Sequence, residues 1–297
     1  ENKMLVVISI VSFNTKKLLE NCLQSIFDQK FKEKIEVWVV DNASKDGSVD
    51  MIKKNFPHVK LIKSEKNLGF GAGHNLVFKK AKADFFLVLN SDTVLEDGAI
   101  DKMLIFMKDN PSCGIAGCKM KGFDGNLQPN GGDLPFGMAL LVWLFNLETF
   151  GIKKPTFHRS ETEYYNNTHE VGWVSGSFMF IGKEVLNKIG FFNEKYFMYF
   201  EDVEFCQRAK EEGFSVMINP HVETAHLSGG SLDKPQLRQW TGEYKGLIQF
   251  YRDKFGILAA LLVKFLVIIS TVLRIFALFC LGQKERAKTY AQVIATL

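Results

Sequence analysis

Asp41, Asp92 and the adjacent pair Glu201-Asp202 are the acidic positions of this 297-residue chain best placed to hold a charge or move a proton. Asp92 closes Asn90-Ser91-Asp92 after an apolar run at 85–89. A carboxylate at such a rim suits a hard divalent cation, which keeps waters and takes further oxygens from a diphosphate; the plain alternative is a helix cap by Ser91 or Asp92. Glu201 and Asp202 follow an aromatic pair and open a helix, where a fixed carboxylate can act as a general base. Acids at a helix start are also favoured by the helix dipole alone. His226, when neutral, is an acceptable metal ligand, while His221 reads as structural. Asp41-Asn42 can accept hydrogen bonds from a base N–H or ribose hydroxyls, or simply cap their own turn. In the glycine-rich run 67–75, backbone N–H groups could approach an anion closely, or the run is a tight turn. It contains neither G-x-G-x-x-G nor a Walker lysine.

These residues need a frame that gathers strand ends. Short apolar runs at 4–11, 35–40, 59–62 and 85–89 read as strands covered on both faces. Helix-length amphipathic segments at 16–28 and 73–82 lie between them. That order predicts a doubly wound, mostly parallel, Rossmann-like α/β sheet flanked by helices, whose ligands bind at the carboxyl ends of the strands. Four polar or glycine-rich loops gather at that rim. Residues 111–170 lose the rhythm and read as an insertion or lid, too short for a core of its own. Regular structure resumes with a strand at 178–181, helices at 183–189 and 203–212, a strand at 214–218 and a charged amphipathic helix at 236–254. The chain divides into a domain at 1–255, whose two halves meet at about 110, an apolar helix at 256–282 and a polar tail at 283–297.

In the apolar stretch 257–281, Ala260, Lys264, Val267, Ser270, Thr271 and Arg274 fall within one arc of about 120°. The length suffices to span a bilayer, but two mid-helix charges would cost roughly 2.5–3.5 kcal/mol each. A helix lying in the membrane surface, a spanning helix and a seam between copies of the chain are the alternatives.

Composition narrows the classes further. With 27 Phe and 46% hydrophobic residues the chain has ample material for a core. A net charge of +4 is too small for a nucleic-acid binder driven by bulk charge. Five scattered cysteines without a CxxC pair indicate neither a disulfide framework nor a zinc site, so a reducing, cytosolic setting is expected. Residues 4–11 lack a basic flank and a cleavage site and read as a buried strand, not an export signal.

Taken in order, the motifs resemble the family 2 glycosyltransferases, the inverting nucleotide-sugar enzymes of the GT-A fold. The matching pieces are Val11-Ser12-Phe13-Asn14, Val39-Val40-Asp41-Asn42-Ala43-Ser44, Asn67-Leu68-Gly69-Phe70-Gly71, Leu89-Asn90-Ser91-Asp92, Gly172-Trp173-Val174-Ser175-Gly176-Ser177, Phe200-Glu201-Asp202-Val203-Glu204, and His226 with Gly229-Gly230-Ser231. The Asn-Leu-Gly-Phe loop and the Tyr-Phe-Glu-Asp-Val run look most like the bacterial rhamnosyltransferases that use dTDP-rhamnose. The resemblance implies that Asp41 contacts the nucleobase, with Ser12, Asn14 and Asn42 nearby. It implies that Gly69, Gly71 and Asn75 line the nucleotide cleft, and that Asn90, Ser91, Trp173, Ser175 and Gly176 belong to the nucleotide-sugar site. Asp92 would bind a Mg2+ or Mn2+ ion bridging the diphosphate, with His226 completing the coordination. Asp202 would be the catalytic base, with Glu201 positioning it or sharing the role. One departure is that the first acid of the Asp-X-Asp motif is here Asn90, which should weaken cation binding.

The implied partners are a dTDP- or UDP-sugar, a lipid-linked or cell-surface glycan acceptor, and the cytoplasmic face of the cell membrane through 256–282, with a homo-oligomer possible and no nucleic acid. A nucleotidyltransferase is disfavoured because the first loop, Ser12-Phe13-Asn14-Thr15, has no glycine-rich basic grip for a triphosphate. A silent glycan-binding subunit would not need Asp92, Asp202 and His226 together.

Overall fold

Val6, Val7, Ile8 and Ile10 are inaccessible to solvent, as a β-branched run is when its strand is covered on both faces. They form β1 (Leu5–Ser12), and in the computed structural model, which describes residues 3–122, 124–152, 155–226 and 237–297, the chain continues from it as an α/β fold. Next come α1 (Lys16–Phe27), β2 (Lys34–Asp41), α2 (Ser48–Asn55), β3 (Lys60–Lys63), α3 (Phe70–Phe78), β4 (Phe85–Asn90), β5 (Thr93–Leu95) and α4 (Ala99–Asp109). The second part contains β6 (Cys113–Lys121), β7 (Gly131–Gly132), α5 (Gly137–Phe145), β8 (His169–Glu170), β9 (Trp173–Val174), β10 (Phe178–Gly182), α6 (Lys183–Ile189), α7 (Glu201–Glu211) and β11 (Ser215–His226). Three helices close the chain: α8 (Leu237–Phe255), α9 (Ile257–Cys280) and α10 (Lys284–Thr296).

Among the described residues one sheet runs β3-β2-β1-β4-β10-β6-β11-β5, with β8 also on β11, and β7 pairs β9 separately. The β3-β2-β1-β4 block and the β6-β11 pair are parallel, and β10 runs antiparallel between them. Loops after β1, β2 and β4 therefore share one rim, and β5 crosses the molecule to pair with the end of β11, setting Thr93 against His226.

Three expectations need correcting. Residues 111–170 are not all an insertion: 113–121 form β6, an interior strand, hidden in the sequence because Gly114, Gly117 and two cysteines carry little β signal. The strand expected at 214–218 runs on to His226 past a register shift between Asn219 and Glu223. Pro220 has no N–H for the ladder there. The polar tail is the helix α10, whose Ala287, Tyr290 and Val293 are buried at three-residue spacing.

The arc of small and charged residues on the terminal helix also resolves. Ala260, Val263, Val267, Ser270 and Thr271 are the buried residues of α9. Lys264 donates to the Leu297 carbonyl at 2.7 Å. Arg274 donates to the Tyr244 and Tyr290 hydroxyls and to the Leu144 carbonyl at 3.3, 3.4 and 3.2 Å. The small and charged residues thus face the protein. Leu258, Leu261, Leu262, Phe265, Leu273, Phe276 and Phe279 are exposed.

Candidate active site

Asp202 lies in the first turn of α7, where its Oδ2 accepts the Gly176 N–H at 3.1 Å and its Oδ1 the Val203 N–H at 2.9 Å. Two N–H groups and the helix N-terminus favour its charged form, yet burial outweighs them and raises its pKa above the ordinary carboxylate value. The neighbouring Glu201 is 4% exposed, one of its oxygens has no partner, and burial together with the Asp202 charge pushes its pKa well up. Of the pair, Asp202 is the one built to carry the negative charge.

The turn that delivers them is strained. Tyr199 and Phe200 have φ of 71° and 72°, a region that costs a non-glycine residue about 1–2 kcal/mol. Full burial of Phe200, worth roughly 1.5–3 kcal/mol, offsets this. Its ring stacks on Phe157 at 5.2 Å, and α8 is notched to receive the turn. A side chain at Gly246 would lie 2.6 Å from the Phe200 Cβ, and one at Gly242 would overlap the Tyr199 ring.

Asp92 and His226 meet in the same cleft as Asp202, Oδ1 to Nε2 at 3.0 Å. The Asn90 amide nitrogen is 3.2 Å from the same Nε2, and His226 Nδ1 meets Gln128 Oε1 at 3.1 Å. With Nδ1 donating to Gln128, a neutral His226 accepts the Asn90 amide N–H at Nε2 beside the Asp92 carboxylate, and a cation shared with Asp92 would take the place of that N–H. No cluster of three or more His, Cys, Asp or Glu suited to a metal occurs among the described residues. A hard divalent ion needs only one or two carboxylates when a diphosphate and waters complete its shell, so the donor set fits such an ion. Asp92, His226, Asn90, Asp202 and Glu201 all line one cleft of about 460 Å³.

Ser175, Gly176 and Trp173 line it too. Gly176 supplies the N–H that holds Asp202, and the Trp173 indole N–H donates to the Phe157 carbonyl at 3.0 Å. The remaining nucleotide-site candidates cluster at the strand ends. Ser12 Oγ, Thr15 Oγ1 and Ser91 Oγ form a chain at 2.8 and 3.0 Å. Asn14 ties the first loop to the second through Ser44 Oγ and the Lys45 N–H. Asn42 donates to the Gly69 carbonyl at 2.9 Å. Asp41 is 3% exposed; its Oδ2 accepts the Ser44 N–H, and its Oδ1 has no partner.

Gly69, Gly71 and Asn75 do something other than line this cleft. The helix begins at Phe70, three residues earlier than expected, so Gly71 is helical and packs on Phe192. The Gly69 N–H is taken by Asn67 Oδ1 and the Phe70 N–H by the Phe197 carbonyl, so neither of these two is open to an anion. Gly69, at φ 88°, has no room for a Cβ against Phe197. Asn75 clamps Phe192, accepting its N–H at 3.0 Å and donating to its carbonyl at 2.9 Å. All three brace the 192–201 segment that ends in the carboxylates.

Sequence reasoning missed Gln128, His158, Gln239 and Glu243, which also line the cleft. His158 Nε2 lies 3.8 Å from Glu243 Oε2, and Gln239 donates to Glu243 Oε1 at 2.9 Å. No local pattern marks them. Gly229, Gly230 and Ser231 lie outside the described residues.

Residues 7–190 match the family model for glycosyl transferase family 2. The N-acetylglucosaminyl-diphospho-decaprenol L-rhamnosyltransferase of Mycobacterium tuberculosis is 26% identical over 238 residues, 74% of this chain and 75% of that protein. Among solved structures, a mannosyltransferase from Pyrobaculum calidifontis in complex with GDP-Man and Mn2+ superposes with a TM-score of 0.61 at 15% identity, covering 100% of this chain and 86% of its own. S. aureus TarS 1-349 superposes with a TM-score of 0.56 at 17% identity, covering 99% and 91%. At those identities the likeness establishes the fold alone, a GT-A-like α/β architecture.

Proposed function

The chain belongs to glycosyl transferase family 2, and from that premise we propose that it moves a sugar from a nucleoside-diphosphate donor to a hydroxyl of a lipid-linked or cell-surface glycan, inverting the anomeric carbon. It is a glycosyltransferase. The observation that carries the mechanism is that Asp202 shares one cleft with Asp92 and His226. The donor that fits the Asn67-Leu68-Gly69-Phe70 and Tyr199 to Val203 motifs best is dTDP-L-rhamnose, and the mycobacterial relative is named as an L-rhamnosyltransferase.

Asp202 takes the proton of the acceptor hydroxyl. The acceptor oxygen bonds to the anomeric carbon from the side opposite the diphosphate, whose C–O bond breaks with the electron pair leaving on the nucleotide. Gly176 and Val203 keep the carboxylate in one rotamer, so little reorganisation is needed as the proton moves. Asp92, His226 and Asn90 would hold a Mg2+ or Mn2+ ion. Such an ion neutralises charge on the departing diphosphate. The unpartnered Asp41 oxygen is suited to accept a base N–H.

The test is nucleoside diphosphate release from a panel of dTDP- and UDP-sugars with Mn2+ and lipid-linked saccharide acceptors. Neither transfer nor hydrolysis with any donor would overturn the enzymatic reading.

A pH profile follows from the buried carboxylates. The base must be ionised and burial raises its pKa, so kcat/KM should fall about tenfold per pH unit on an acid limb set above the ordinary carboxylate range. Glu201→Gln should leave that limb in place, because burial and the neighbouring Asp202 charge push the Glu201 pKa further up than that of the base. A limb at the value of a free aspartate, or one displaced by Glu201→Gln, contradicts the assignment.

The reading extends to the cytoplasmic membrane surface. Helix α9 has the length and hydropathy to cross a bilayer, but Lys264 and Arg274 stitch it side-on to α5, α8 and α10. A helix held that way lies along the membrane with its exposed leucines and phenylalanines in the lipid. Leu262→Asp with Phe276→Asp should reduce co-flotation with anionic vesicles at least roughly tenfold, since each buried apolar side chain contributes about 1.5–3 kcal/mol. Unchanged flotation would remove the membrane from the account.

A further inference from the structure

A second groove, of about 620 Å³, lies between the 195–199 segment and one face of α8, within the size range of ligand pockets. We propose that it receives the phosphorylated single-chain lipid of the acceptor, the chain on its apolar floor and the phosphate on Arg238 and Lys245. This rests on the reading of the chain as a transferase to a lipid-linked acceptor, and it assigns that acceptor's lipid end to particular residues.

Three observations carry it. Tyr196, Phe197, Met198 and Leu237 give the groove an apolar floor that is open to solvent, with Phe197 50% and Leu237 39% exposed. Its polar rim has one sign: Lys195, Arg238 and Lys245 line it, and no acid does among the described residues. Lys195 already pairs with Asp253 at 2.9 Å. Arg238 and Lys245, seven residues apart, share a face of the helix and are exposed. Lastly, Met198 and Tyr199 line both this groove and the cleft that holds Asp202. A phosphate on the rim would let the attached sugar reach over Tyr199 towards the base.

The same features argue against a second copy of the chain as occupant. A twofold contact centred on the groove would bring together two copies of a positively charged rim that has no acid among the described residues. An apolar body ending in an anion answers both the floor and the rim.

Isothermal titration of the full chain with dodecyl phosphate, below its micellar concentration, tests this. Dodecanol and inorganic phosphate serve as the separate halves of the ligand. Dodecyl phosphate should bind at least tenfold more tightly than either half. Arg238→Glu with Lys245→Glu should weaken it at least tenfold, Arg238→Lys should retain it, and Leu262→Asp with Phe276→Asp on α9 should leave it unchanged. Both charge-reversal sites are exposed, and retained binding of dTDP or UDP with Mn2+ reports that the variant is folded. Equal binding of inorganic phosphate, equal binding of dodecanol, or indifference to charge reversal overturns the groove. So does a native dimer that the reversal dissociates. If the native chain binds no nucleotide with Mn2+, the transferase reading fails by itself; normal nucleotide binding without dodecyl phosphate binding fails the groove alone.

Discussion

Asp202→Asn should lower kcat by about 10²–10⁴-fold while leaving nucleoside diphosphate affinity essentially unchanged. The amide keeps the size and shape of the carboxylate, and its oxygen can still accept the Gly176 N–H that Oδ2 accepts now. It cannot take a proton. The loss therefore belongs to the chemical step and should appear in kcat rather than in donor binding. Single-turnover nucleotide release, measured with donor and acceptor both saturating, separates the two. Turnover unaffected by the substitution would take Asp202 out of the mechanism, and a matching loss in nucleotide affinity would make its role structural.

Asp92→Ala should weaken activating Mn2+ by at least roughly tenfold, since even the partners that orient metal ligands commonly contribute 10–100-fold. High Mn2+ should recover part of the rate, and a chelator should silence the native enzyme. His226→Ala should act in the same direction, and Gln128→Ala more weakly, because it meets only Nδ1, on the far side of the ring. Asn90→Asp should do the opposite and tighten cation binding by supplying the carboxylate that the motif lacks. Mn2+ titrations of turnover and of nucleotide binding, run on all four variants, provide the comparison. Activity indifferent to chelation, or an Asn90→Asp variant that binds Mn2+ no better, would contradict a cation at this site.

What could be read in the sequence was whatever local pattern encodes. The strands β1, β2, β3 and β4 announce themselves as short apolar runs, and Asp92 and Asp202 stand out because each follows such a run or opens a helix. The cleft's other lining residues carry no such mark. His158 comes from an irregular segment, Gln128 from a loop, and Gln239 and Glu243 from a helix more than thirty residues beyond Asp202. Only the tertiary fold brings them together. Gly69, Gly71 and Asn75 are ambiguous for the opposite reason: a glycine-rich run suits an anion cradle and a close helix contact equally well, and here the helix starts early enough to use Gly71 for packing. The spacing of Ala287, Tyr290 and Val293 was the signal that residues 283–297 fold back as a helix, but it is sparse among polar neighbours.

The crossing of β5 to the far edge of β11 has a mechanical corollary. Asp92 immediately precedes β5 and His226 ends β11, and Thr93 is in register with His226. The two prospective ligands, more than a hundred residues apart along the chain, are spaced by adjacent rungs of a ladder rather than by the closing of a hinge. Among the described residues, the spacing of this pair is fixed by strand pairing, so a cation site built on it would need no hinge to bring its two protein ligands together.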